Sequence, residues 1–262
     1  MQSSGSWSVT ATDIQACAAI VQKADPDRFA AVMATPVAMR DVLFPIHAMA
    51  VEVARAPWAT KEDMIAEMRV QWWRDALSEI ADGRSVRRHE VVSPLAKIFK
   101  PETAKMLDGF VEVRRWDIYK QPFEDEAHFR DYLVQSSASL YRAICLSLGE
   151  SEEGCEEFGY AAGLANYLQA VPKLEELGRI PLLDGRESAV SELAQSGLSA
   201  LQKAKRLRLS KTVRYAFLPG WQTKAVLSKA AKHPGLVAQG ALQSSEASKK
   251  ASLLWKALTV RI

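Results

Sequence analysis

Glu67-Met68-Arg69-Val70-Gln71-Trp72-Trp73-Arg74-Asp75-Ala76-Leu77 carries the clearest periodicity in the chain. Val70, Trp73, Leu77 and Ile80 recur at i, i+3, i+7 and i+10, which aligns them as one apolar stripe on an α-helix. Trp72 and Trp73 are adjacent, so they point about 100° apart and only Trp73 belongs to the stripe. Asp82-Gly83 ends this helix, and Thr60, with Asp63 three residues on, is placed to cap its start.

The helical period continues on both sides. Toward the N-terminus, Ile14, Cys17, Ala18 and Val21 share a face, and Asp25-Pro26-Asp27 breaks that run and caps a short helix reaching Met33. Arg40 to Ala56 turns Leu43, Ile46, Met49 or Ala50, and Val53 inward and stops at Pro57. Toward the C-terminus, helices are expected from Pro94 to Phe99 and from Pro101 onward, the latter closed by Gln121-Pro122. Phe129, Leu133, Leu140, Ile144 and Leu148 stripe one long helix, whose Ser136-Ser137-Ala138-Ser139 run is small enough to admit a close neighbour. Another helix runs from Gly154 to Val171, before Pro172. No alternating apolar/polar run lies between turn signals, so the expected fold is all-α. One helical domain over 13–262 is expected, with residues 1–12 frayed and a mobile loop at 184–197.

Composition agrees with helices: 39 Ala and 26 Leu stand among 262 residues, against 13 Gly and 11 Pro. No apolar run reaches the length of a membrane span, and Asp13, Asp25 and Asp27 interrupt the region where a signal peptide needs an apolar core. A cytoplasmic protein, at most peripheral to a membrane, is expected. Cys17, Cys145 and Cys155 are odd in number and show neither CxxC nor Cys/His clustering, which favours reduced structural thiols over a disulfide framework or zinc. The net charge of +3 is unevenly spread. Residues 191–262 hold 13 Lys/Arg against Glu192 and Glu246, a net +11, which leaves −8 for the rest. Such a basic third, dense over 203–232, suits an anionic membrane surface or protein partner, or is simply solvated. A Gly-rich phosphate loop, a nucleophile elbow, HExxH and nucleic-acid motifs are all missing, so no nucleic-acid partner is expected.

The Glu67–Leu77 segment also resembles the "R-L-x-W-W-R-x-x-L" segment of the squalene/phytoene synthase family, and further pieces follow in that family's order. Asp82-Gly83 and His89 resemble its "G…H-P-V" turn, with Glu90 in place of Pro. Leu107-Asp108-Gly109-Phe110, Asp117-Ile118-Tyr119 and Pro122-Phe123 resemble "I-D-G-R-E-x-D-L…P-F", and Phe129-Arg130-Asp131-Tyr132 resembles the start of its small-residue helix. Gly159 to Gly178-Arg179 and Leu253 to Leu258 resemble its "Y-G-x-A…L-T-N…G-R" and closing "L-L-W-R-A-L".

This resemblance implies an isoprenoid synthase fold whose central cavity joins two prenyl diphosphates head to head. In that family, aspartates four apart on two facing helices hold Mg²⁺, which neutralises the leaving diphosphate. Aligning Ala48-Met49 with the family's "A-F" puts the first pair of metal positions at Ala54 and Trp58. Aligning Asn166 with the Asn of the second motif puts the other pair at Ala170 and Leu174. None of the four offers a carboxylate, so no cofactor is expected. Glu52-Val53-Ala54 also resembles the branch that includes the mitochondrial complex I assembly factor. A non-catalytic binding or assembly protein is therefore expected, with an active farnesyl or geranylgeranyl prenyltransferase needing Mg²⁺ as the alternative.

Candidate cavity residues are Glu52, Arg55, Arg69, Trp73, Arg74, Asn166, Gln169 and Arg179. They suit an apolar or prenyl diphosphate ligand. Arg69 and Arg74 either meet a phosphate or pair with Glu52, Glu67 or Asp75, and Trp73 either lines the cavity or packs in the core. His47 and His89 have no triad or metal partner, so a solvated or satisfied role is expected. Asp63/Glu67 and Glu152/Glu156 have i, i+4 spacing but lie near helix N-termini, where acids complement the dipole.

Overall fold

A computed structural model describes residues 11–260. The expected frayed segment lies outside the described residues up to position 10, while Ala11 and Thr12 already belong to the first helix. The chain runs through α1 (Ala11–Ala24), α2 (Pro26–Met33), α3 (Val37–Arg55), α4 (Asp63–Ala81), α5 (Val92–Ile98), α6 (Pro101–Glu112) and α7 (Arg115–Tyr119). It continues through α8 (Glu126–Leu133), α9 (Ser139–Ser147), α10 (Cys155–Glu176), α11 (Glu187–Arg206), α12 (Lys211–Ala216), α13 (Thr223–Lys232), α14 (Gly235–Ala238) and α15 (Glu246–Thr259). No strand occurs among the described residues, in line with the all-α reading.

Local chemistry explains most boundaries. The Asp25 carboxylate accepts from the Arg28 N–H at 2.9 Å and Pro26 occupies the first turn, so α2 starts where Asp-Pro-Asp says it should. Gly83, at φ +64°, adopts the left-handed conformation that ends α4. Thr60 does not cap α4: its hydroxyl accepts from the Glu62 N–H at 3.1 Å, and the helix begins at Asp63. The expected mobile loop is also displaced, because the chain is helical from Glu187. That segment buries Val190, Ala194 and Gly197, a helical face that its polar composition masks.

Proline does not terminate α10. Pro172 has no N–H to give the Leu168 carbonyl, yet the helix runs on to Glu176. Ala170 and Leu174 therefore share one helix face across the proline.

The long helix expected over 129–148 is present with a change of pitch. A π-turn at Val134–Ala138 separates α8 from α9, within the run of small residues. Here α10 comes very close: a Cβ on Gly159 would collide with Ala138, and one on Gly163 would lie 2.7 Å from the Ser137 Cβ. Around this contact, α4 packs on α6, α10 on α11, α11 on α13 and α1 on α3. One core cluster joins these helices, including Trp73 on the expected stripe.

His47, on α3, is fully buried at 0% exposure, and neither ring nitrogen finds a hydrogen-bond partner among the described residues. This corrects the expectation of a solvated or satisfied histidine. Burial, reinforced by the Arg28 charge, holds its pKa well below the ordinary value and keeps it neutral.

Candidate functional site

The helices enclose a cavity of about 560 Å³. From α3 and the 3₁₀ turn Ala56–Trp58 that follows it come Ala54 and Trp58; from α10 come Asn166, Gln169, Ala170 and Leu174. The continuation of α10 through Pro172 is what aims Leu174 at the same space as Ala170. Ala54, Trp58, Ala170 and Leu174, the positions that the family resemblance implies for metal ligands, thus face one cavity, and they present two methyls, an indole and an isobutyl group.

Three carboxylates also reach this cavity, from outside the aligned positions, and each meets a cation. Asp25 pairs with Arg28 at 2.9 Å. Asp27 accepts from the Gln222 amide at 2.8 Å and pairs with Lys249 at 2.9 Å. Asp117, on α7, sits beneath the cavity in a denser network. Arg114 Nη1 approaches Asp117 Oδ2 at 3.3 Å and donates to the Tyr132 hydroxyl at 3.0 Å. That hydroxyl donates to Asp117 at 3.0 Å, and Arg179 Nη1 closes the ring at 3.3 Å from Asp117 Oδ1. Burial and the neighbouring Asp117 charge push the Tyr132 pKa up, so the phenol keeps its proton.

The Arg179 guanidinium, between 5.5 and 5.9 Å from the ring centres of Phe123, Trp116 and Tyr132, is walled by aromatic faces. Arg179 Nη1 also donates to the Trp116 carbonyl at 3.0 Å, which ties the loop after α10 to α7. Arg114, Asp117 and Tyr132 were not among the sequence candidates. The Asp117-Ile118-Tyr119 piece marked the region, but nothing local ties Asp117 to Arg179, 62 residues away.

The structure separates the eight candidates rather than gathering them. Asn166 and Gln169 line the cavity, and Arg179 lies beneath it in the Asp117 network. Glu52, Arg55, Arg69 and Trp73 instead line a second concavity of about 550 Å³ on the outer side of α3 and α4, with Trp72 and His89. His89 sits against both indoles, with ring centres 5.0 and 5.7 Å away. Arg74 enters neither space. It forms a bidentate pair with Asp108, at 2.7 and 2.8 Å, and a second pair with Glu112. Its expected partners are engaged elsewhere: Glu52 with Arg55, Glu67 with Arg115, and Asp75 with Gln71. Long-range packing of α4 on α6 supplies stronger partners than its own helix does. The Glu152/Glu156 pair is likewise spent on Arg142, at 3.6 and 2.9 Å.

A family-wide profile described as squalene/phytoene synthase matches residues 21–206, which span α3, α4 and α10. The chain belongs to the squalene/phytoene synthase family. Solved structures with the same fold include a dehydrosqualene synthase in complex with ligand, at a TM-score of 0.66 and 14% identity, covering 94% of this chain and 95% of that one. Squalene synthase HpnC from Alicyclobacillus acidocaldarius aligns at a TM-score of 0.69 and 16% identity, covering 87% and 94% respectively. A curated relative from Drosophila melanogaster, named NADH dehydrogenase (ubiquinone) complex I, assembly factor 6 homolog, is 23% identical over 94% of this chain and 83% of its own length. This squalene/phytoene synthase family member therefore keeps the isoprenoid synthase fold. Among the described residues, no helix is long and apolar enough to cross a membrane, and no group of three or more His, Cys, Asp or Glu is placed to hold a metal ion.

Proposed function

We propose that this family member is a non-catalytic binding or assembly protein that has lost both aspartate motifs while keeping the enzyme fold. One observation carries the reading: Ala54, Trp58, Ala170 and Leu174 face the same cavity and offer no oxygen to a hard cation. The carboxylates that do reach the cavity are neutralised by Arg28, Lys249, Arg114 and Arg179, so the donor set does not fit Mg²⁺. Without that ion, leaving-group stabilisation worth several kcal/mol is missing, and each 1.4 kcal/mol or so is tenfold in rate.

The name of the Drosophila relative supports an assembly role with a protein partner. The cavity volume falls within the roughly 300–1,000 Å³ of small-molecule sites, and its lining joins alanines, leucines and an indole to polar groups such as Arg28, Asn166 and Gln169, which suits an apolar or prenyl diphosphate ligand. A cytoplasmic setting, peripheral to membranes at most, is part of the same reading.

The test is incubation of purified protein with labelled farnesyl and geranylgeranyl diphosphate, with and without Mg²⁺, beside a thermal-shift titration of the same ligands. The expected outcome is no diphosphate release under either condition. Mg²⁺-dependent release would overturn the proposal and establish the prenyltransferase alternative.

A further inference from the structure

The C-terminal helix α15 buries one side and leaves the other bare. Leu253 and Ala257 pack against a small cluster of Ala31, Leu218 and Trp221, while Lys249 reaches Asp27 at 2.9 Å. On the opposite face, Leu254, Trp255 and Leu258 are 62%, 62% and 73% exposed. Ala247 and Ala251 are exposed as well and continue the stripe toward the start of the helix at three- and four-residue steps. At about 100° per residue, Lys250 falls on one flank of this stripe, while Lys256 lies toward the packed side of the helix, partly buried beside Trp221 and Lys224.

The Lys256 side is densely positive. Burial and the charges of Lys205 on α11 and Lys224 on α13 hold the Lys256 pKa down to about 8, and among the described residues no carboxylate acts on it. Lys205 is lowered by burial and by Lys224 in the same way. Three helices therefore converge on a cationic edge that has no counter-charge among the described residues.

We propose that the outer face of α15 docks on an anionic lipid bilayer, with Leu254, Trp255 and Leu258 at the boundary of headgroups and acyl chains and Lys250 meeting lipid phosphates. The chemistry selects this occupant over others. A second copy would bring its own lysines against this one, in a region with 13 basic and two acidic residues. A stable protein interface draws on about 20–30 residues a side, whereas a convex stripe of three large apolar residues offers no such area. A bilayer needs only that stripe, an indole that favours the interface and cations that snorkel to the phosphates. The inference rests on residues of α15 away from the cavity and holds whether or not the cavity turns over prenyl diphosphates.

Flotation of the full chain with vesicles of phosphatidylcholine, and of equal parts phosphatidylcholine and phosphatidylserine, tests it. Binding to the mixed vesicles only is expected, weakening as salt rises because the attraction is screened. Leu254→Ser with Leu258→Ser, at exposed positions that leave the melting temperature unchanged, is expected to lower binding on the order of tenfold. Lys250→Gln is expected to flatten the salt dependence. No binding to either vesicle, equal binding to both, or a serine variant that binds like the parent would each overturn the proposal. So would a dimer in solution that the serine variant dissolves while vesicles remain unbound.

Discussion

Arg179 and Asp117 form a buried ion pair beneath the cavity, Nη1 to Oδ1 at 3.3 Å, with side chains 0% and 3% exposed. Arg114 shares the same carboxylate, so one anion holds two guanidinium groups in the interior. The two ends of the pair are therefore not equivalent. Asp117→Ala strands both cations and is expected to cost about 3–5 kcal/mol, whereas Arg179→Met leaves the Arg114–Asp117 pair intact and costs less. Urea unfolding of both variants checks the order, and equal losses would refute the sharing.

His47 makes stability acid-sensitive. Its folded pKa lies well below 6.5 because burial disfavours the charged ring, while the unfolded chain titrates near the ordinary value. As pH falls below that unfolded pKa, the unfolded state takes up a proton that the native state refuses. Stability drops by about 1.4 kcal/mol per pH unit until the folded pKa is reached. His89, also lowered by burial, adds in the same direction. Comparing unfolding at pH 8 and pH 5, His47→Leu should lose less on acidification than the parent. An unchanged slope would remove His47 from the account.

The crossing of α10 over the π-turn depends on a missing side chain. A Cβ at Gly159 meets Ala138 backbone atoms, which cannot swing aside, so Gly159→Ala is expected to cost about 1–3 kcal/mol through forced separation of the helices. Gly185→Ala, with nothing within 4 Å of the added methyl, is the matched control and should be near neutral. Melting temperatures of the two variants decide the matter.

All three cysteines are buried. Burial pushes the Cys17 thiol up to about 12, and the Cys155 thiol donates to Cys145 Sγ at 3.4 Å. Because thiolate, not thiol, reacts, the native protein is expected to be silent to Ellman's reagent at pH 8 and to release its thiols only on unfolding. Rapid labelling of the native state would contradict this burial.

Relatives with a solved structure share 14–16% identity with this chain, yet much of the fold was readable without them. Helix existence, the Val70–Ile80 stripe, the Asp25 cap and the small-residue crossing are local properties. Period, propensity and a cap's reach extend over only a few residues, so the amino-acid order alone determines them. The family likeness is also a property of that order. What the order left undecided is pairing across distance. Arg74 chose Asp108 and Glu112 on another helix over its near neighbours. Glu52, Arg55, Arg69 and Trp73 turned to an outer concavity while Asn166 and Gln169 faced the inner one. Pro172 and the polar 187–197 segment stayed helical because neighbouring helices bury their apolar faces. Asp117 met Arg179, and the outer face of α15 stayed bare, for the same reason: burial and charge partners are set by which helix faces lie together once the chain is folded, and one-dimensional spacing does not encode that.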